Sequence, residues 1–266
     1  LHALVVVQGG ATVLAEAFRG PPLARPVNVK SVSKTIVATL AGIALDRGVL
    51  AGVDQPVAPM LGELVPAAAD PRVHDLTVGH LLTMQAGLER TSGANYGAWV
   101  QSGDWVADAL TRPFVAAPGA RMLYSTGSYH LLAVALARAA GRDLLTVARD
   151  WLGAPLDATI PPWTRDPQGH YMGGNNMALA PLALARFAEM WRRRGRFDGA
   201  RVVSAAAEGQ QLLGEIRRQL SCLADVGQVL HGVVVARERG EGLVGVEQHA
   251  EEQVVEVVGD TAGELS

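Results

Sequence analysis

The chain has 266 residues, is 49% hydrophobic and 18% charged, and carries a formal net charge of -3. This is ordinary globular composition, which argues against disorder, and the charge gives no reason to expect nucleic acid as a partner. Of the 23 basic residues only two are lysine, Lys30 and Lys34, and they lie within five residues of each other.

Residues 3–18 predict a β-hairpin, two β-rich runs flanking Gly9-Gly10, where glycine supplies the positive φ of a tight turn. Pro21, Pro22 and Pro26 mark an irregular connection. Residues 31–47 predict a helix about 25 Å long with Gly48 past its end. From Ile36 to Leu45 this helix has almost no polar face, the signature of a central helix buried all round. Residues 52–75, with four prolines, predict loops. Thr77 is placed to cap a short helix ending near Gly87, and 98–111, 125–140 and 178–194 also predict helices. A hairpin followed by a helical stretch over about 52–195 suggests an α/β domain with a helical insertion, which needs more strands after 195. The tail differs: every Phe, Tyr, Trp and Pro falls within 1–207, so 208 is a composition boundary.

Cys222 is the single cysteine, so neither an internal disulfide nor a cysteine-based metal site is expected. No apolar run reaches about 18 residues, so no membrane-spanning helix is expected. Residue 1 is Leu, which suggests a fragment or a processed chain. HExxH, a Walker-type glycine loop and a Gly-x-Ser-x-Gly elbow are absent, and no metal or cofactor is expected.

The chemistry centres on Ser31-Val32-Ser33-Lys34. On a helix, positions i and i+3 share a face, so Ser31 Oγ and Lys34 Nζ can meet. A serine hydroxyl is a weak nucleophile until a base takes its proton. Lysine is that base only when neutral, which requires a pKa below its usual ~10.4. Desolvation by the apolar run and repulsion from Lys30 both act in that direction, whereas arginine does not deprotonate. The competing reading is that Ser31 is simply a helix cap. Tyr124-Ser125-Thr126-Gly127, before a second apolar helix, is the other candidate. Tyr124 can share a proton with Ser31 and Lys34, or be a partly buried tyrosine bonded to backbone.

With these motifs in order, the chain resembles the serine β-lactamase and penicillin-binding-protein superfamily, in its class C and esterase-like branch, which includes 6-aminohexanoate-oligomer hydrolases. The resemblance runs through LVVVQGGATVLAEAF, SVSKTIVATLAGIALDRGVL, LTVGHLLTMQAGL, PGARMLYSTGSYHLLAVAL and the stretch from Gly173 to Ser204, over about residues 3–207. It implies an antiparallel sheet flanked by helices, and a hydrolase of small-molecule amides or esters. It further implies Ser31 as the acylated nucleophile, Lys34 and Tyr124 as the proton-transfer pair, and the Ser31 N–H as half of the oxyanion hole. Which group is the base varies across the superfamily.

Two departures follow. Thr126 stands where the family's Tyr-x-Asn motif has Asn, which bears on substrate positioning and argues against efficient β-lactam turnover. No lysine follows Lys34, and neither His231 nor His249 fits His-x-Gly, so the third motif and its oxyanion N–H are missing. Residues 208–266 are therefore expected to be an atypical, out-of-frame or foreign tail with missing or abnormal sheet strands. The alternative to an active hydrolase is an inactive relative. His80 is expected in the core or as a cap, His130 to pack, His74 and Arg192–Arg194 at the surface, and Asn175-Asn176 in a turn.

Overall fold

The computed structural model describes residues 1–204 and the backbone of 233–235. Strands β1 (Ala3–Gln8) and β2 (Ala11–Ala17) form the expected antiparallel hairpin. Gly9 and Gly10 turn it at φ 59° and 86°, angles open to glycine and strained for other residues. Alternate residues Ala3, Val5 and Val7 of β1 face the core.

After β3 (Val27–Asn28) comes helix α1 (Val32–Asp46). Every residue from Val32 to Ala44 is buried, as an all-apolar surface demands. Gly48, at φ 66°, ends it in the left-handed conformation. Short helices α2 (Ala58–Leu61), α3 (Val78–Leu82), α4 (Tyr96–Gln101) and α5 (Trp105–Thr111) lead to α6 (Thr126–Ala139), the second long buried helix. α6 packs against α1, α2, α3 and α5, and then α7 (Leu144–Ala148). Strand β4 (Ala178–Leu179) pairs with β3, and α8 (Pro181–Arg192) packs on β1. β5 (Arg196–Phe197) and β6 (Ala200–Arg201) make a small ribbon, and β7 (Val233–Val235) lies beside β1.

Antiparallel pairing, as expected, joins β1–β2, β3–β4 and β5–β6, while β7 runs parallel to β1. Four helical stretches differ from expectation. Helix α2 lies inside the 52–75 stretch expected as loops. The helix after Thr77 stops at Leu82, because Met84 takes φ 53°. The 98–111 helix is two, broken at Ser102-Gly103, with Asp104 accepting the Ala107 N–H to start α5. The 178–194 helix begins only at Pro181, a residue suited to the first helical position. Apart from β7, the tail and its boundary at 208 lie outside the described residues. No helix among the described residues is long and apolar enough to cross a membrane.

Candidate active site

The site forms where the start of α1 meets the start of α6. Asn28 Oδ1 accepts the Lys30 N–H at 2.8 Å, and Lys30 turns the chain at φ 47°. A left-handed lysine costs about 1 kcal/mol, which its surroundings must offset. Ser33 Oγ bridges the turn, donating to Lys30 O at 2.5 Å and accepting the Met177 N–H at 3.1 Å.

Ser31 occupies the N-cap position of α1, yet its side chain makes no capping hydrogen bond. Its backbone is already helical (φ -71°, ψ -8°), whereas a capping serine is usually extended. The cap reading therefore fails. Ser31 Oγ lies instead 3.2 Å from Lys34 Nζ, and both residues are buried.

Lys34 is 1% exposed. Its Nζ meets three uncharged oxygens: Gly174 O at 2.7 Å, Ser31 Oγ at 3.2 Å and Thr126 Oγ1 at 3.3 Å. Burial lowers its pKa from 10.5 to about 7. An amine so placed is neutral in a large fraction of molecules near neutral pH, as a base must be. Lys30 is exposed, and burial alone accounts for the shift of Lys34. Tyr124 presents its ring face, whose centroid lies 4.7 Å from Nζ. Aromatic faces attract cations, so this contact favours the ammonium form.

Two residues of this network had no motif to mark them. Gly174 supplies a backbone carbonyl, held by the close approach of its loop to α6. A Cβ at Gly174 would sit 2.8 Å from Thr126 O, and one at Gly173 would overlap the Tyr129 carbonyl. Neither glycine takes a positive φ, so they serve close approach rather than turn geometry. Ser92, also buried, places Oγ 2.9 Å from Thr126 Oγ1 and accepts the Thr126 N–H at 2.9 Å. Thr91 Oγ1 similarly accepts the Gly127 N–H at 2.7 Å. The first N–H groups of α6 are thus capped from a distant segment.

The loop bearing Gly174 is anchored by a buried pair. His130 Nε2 on α6 lies 3.0 Å from Asp166 Oδ2, and His170 Nδ1 lies 2.9 Å from the same oxygen. Burial would raise the Asp166 carboxyl, but the hydrogen bonds from His130 and His170 outweigh it and hold it well below the usual range. Burial pushes the His130 pKa down, so the ring is neutral and donates from Nε2. His130 packs against both Trp99 and Trp105, as expected of a packing residue, and also has a carboxylate partner in Asp166. His80 is a cap: its Nδ1 accepts the Thr77 N–H at 3.3 Å in a capping box. Asn176 turns the chain at φ 63°, and Asn175 Nδ2 donates to Tyr96 Oη at 3.1 Å. His74 is exposed, while Arg192 and Arg193 ion-pair with the buried Glu189.

No group of three His, Cys, Asp or Glu among the described residues is placed to hold a metal. Cys222, His231, His249 and the strand expected to carry the third motif lie outside the described residues.

The model of the family described as Beta-lactamase matches residues 2–243, continuing past residue 207. Among solved structures, a candidate 6-aminohexanoate-dimer hydrolase from Bacillus anthracis superposes with a TM-score of 0.64 at 15% identity, covering 76% of this chain and 56% of its own. A candidate β-lactamase from Bacteroides dorei gives 0.62 at 20%, covering 90% of this chain and 67% of its own. EstCE1, a hydrolase with promiscuous acyltransferase activity, gives 0.59 at 18%, covering 74% and 68%. These likenesses establish the fold, and the chain spans little more than half the length of the first of them. No match was found among curated proteins.

Proposed function

The chain belongs to the Beta-lactamase family, and from that premise we propose that it is a serine hydrolase of small-molecule amides or esters, acting through an acyl-enzyme on Ser31. The observation that carries this reading is the non-capping Ser31 Oγ held 3.2 Å from a fully buried lysine. Neutral Lys34 takes the Ser31 proton as Oγ attacks the substrate carbonyl, so an O–H bond breaks, an N–H bond forms and the carbonyl oxygen becomes an oxyanion. The first turn of α1 offers that oxyanion the Ser31 N–H and the positive end of the helix dipole. The lysine ammonium, with Tyr124 beside it, returns the proton to the leaving group. Water then hydrolyses the ester on Ser31 by the reverse proton path.

Esters and amides are favoured over β-lactams because Thr126, not a carboxamide, stands at the second motif and is engaged with Lys34 and Ser92. A screen of p-nitrophenyl esters against a chromogenic cephalosporin tests this, with Ser31→Ala as control. Ester turnover lost in Ser31→Ala is the expected result, and turnover of the cephalosporin alone overturns the preference.

A second reading is favoured by one observation, the absence of any lysine after Lys34. On that reading the third motif is lost and the chain is an inactive relative. Losing one oxyanion donor lowers a rate about 10²–10³-fold. Folded protein that neither turns over esters nor reacts with a serine-directed label establishes this alternative.

A further inference from the structure

The Lys34 contacts pose a problem of hydrogen placement. A neutral amine has two hydrogens and one lone pair, and Lys34 Nζ has three oxygen neighbours, Gly174 O, Thr126 Oγ1 and Ser31 Oγ. The Gly174 carbonyl only accepts, so it takes one hydrogen. The lone pair faces Ser31 only if Thr126 takes the other. Were Thr126 to donate instead, its hydrogen would cover the lone pair, and the remaining amine hydrogen would point at Ser31. Lys34 would then be neutral and useless as a base.

The orientation of the Thr126 hydroxyl therefore decides whether Ser31 is activated, and Ser92 is the residue in contact with it. Ser92 Oγ lies 2.9 Å from Thr126 Oγ1 and is oriented by accepting the Thr126 N–H, also at 2.9 Å. It is buried, so bulk water does not compete for it. We infer that Ser92 is a positioning residue for the Ser31–Lys34 pair: its Oγ accepts the hydrogen of the Thr126 hydroxyl, fixing Thr126 as an acceptor from Lys34 and turning the amine lone pair toward Ser31. During acylation the Ser31 O–H breaks and a third N–H forms on Lys34. Thr126 and Ser92 keep their hydrogens, and Thr126 accepts from Lys34 in both protonation states, so neither Lys34 nor Thr126 loses a hydrogen-bond partner during the transfer.

This inference rests on Ser31 being the nucleophile. Ser92 also caps α6, and Thr91, which caps the adjacent N–H of Gly127 without touching Lys34, separates the two roles. The experiment measures the second-order rate of fluorophosphonate labelling of the full chain from pH 6 to 9, with circular dichroism confirming the fold. Ser92→Ala is expected to lower the high-pH plateau about tenfold, the size of one hydrogen bond that biases the base. It should also move the inflection to lower pH, because a donating Thr126 favours the neutral amine. Ser92→Thr, which retains the hydroxyl, restores both, and Thr91→Ala leaves both unchanged. In a Thr126→Val background, Ser92→Ala adds no further loss, since the hydroxyl it steers is gone. A Ser92→Ala profile like that of the unaltered chain overturns the inference, as does an equal loss in Thr91→Ala or an additive loss beside Thr126→Val. Failure of the unaltered chain to label at Ser31 overturns the underlying reading instead, whatever the Ser92 variants do.

Discussion

Lysine 34 has a pKa near 7 because it is sealed from water with no carboxylate among its hydrogen-bond partners. At pH 7 about half of such a lysine is neutral, whereas an ordinary lysine of pKa ~10.4 is neutral in only about one molecule in 2,500. Burial thus raises the population of neutral amine roughly a thousandfold, or about 4 kcal/mol. The rate of Ser31 labelling by a fluorophosphonate should therefore fall about tenfold per pH unit below 7 and level off above it. The same burial has a cost in stability, and its sign is fixed. Between pH 7 and 10.5 the unfolded chain holds the lysine proton and the folded chain does not, so stability rises with pH across that window. Below pH 7 both states are protonated and the folded state carries the whole cost, on the order of 5 kcal/mol. Lys34→Met should abolish labelling while raising the melting temperature at pH 6. A labelling profile that is flat from pH 5 to 9, or that turns only above pH 9, would refute the reasoning, as would a Lys34→Met chain less stable at pH 6.

Gly174→Ala places a Cβ 2.8 Å from the Thr126 carbonyl oxygen, so the loop must move and its carbonyl must leave Lys34. Labelling kinetics should slow about a hundredfold, the usual cost of a displacement near 1 Å, and a variant as fast as the unaltered chain contradicts the role given to Gly174. Asp166→Asn removes the carboxylate shared by His130 and His170. Chemical denaturation at pH 7 should show a loss of about 2–4 kcal/mol, since a buried charge-assisted network is broken. Because the folded Asp166 pKa lies below its ordinary value, its contribution is present at neutral pH and is lost as pH falls below about 4. The difference between variant and unaltered chain should therefore shrink in acid, and a gap constant from pH 7 to pH 3 argues against the pairing.

What the sequence revealed about the site was what it encodes locally. Ser31 and Lys34 are one helical turn apart on an apolar helix, so their meeting follows from helix geometry. Tyr124 and Thr126 share one short loop-to-helix motif, and the structure brings both to Lys34. Gly174 escaped notice because it acts through a main-chain carbonyl, which no side-chain pattern records. Gly173-Gly174 was visible, but glycine signals a turn as readily as the close helix approach that these two allow. Ser92, within Thr-Ser-Gly, looks like any loop serine, and only the fold carries it to the start of α6. His130 and Asp166 are likewise far apart in the chain and joined only by packing. For the fold, the two long helices and the hairpin were legible because their apolar or β-rich runs are long and uninterrupted, with glycines at the hairpin turn and past the end of α1. The short elements were legible only in part: Thr77 marked the start of α3, but the division of α4 from α5 is set by one Ser-Gly break and the Asp104 cap, and β5 and β6 are two residues each.

The central claim is that Ser31 is a nucleophile activated by Lys34, and intact-protein mass spectrometry after fluorophosphonate treatment tests it most directly. At pH 8 a single adduct per chain is expected, located on Ser31 by peptide mapping and absent from Ser31→Ala and Lys34→Met. Folded protein that gains no adduct, or an adduct on another serine that survives Ser31→Ala, would contradict it.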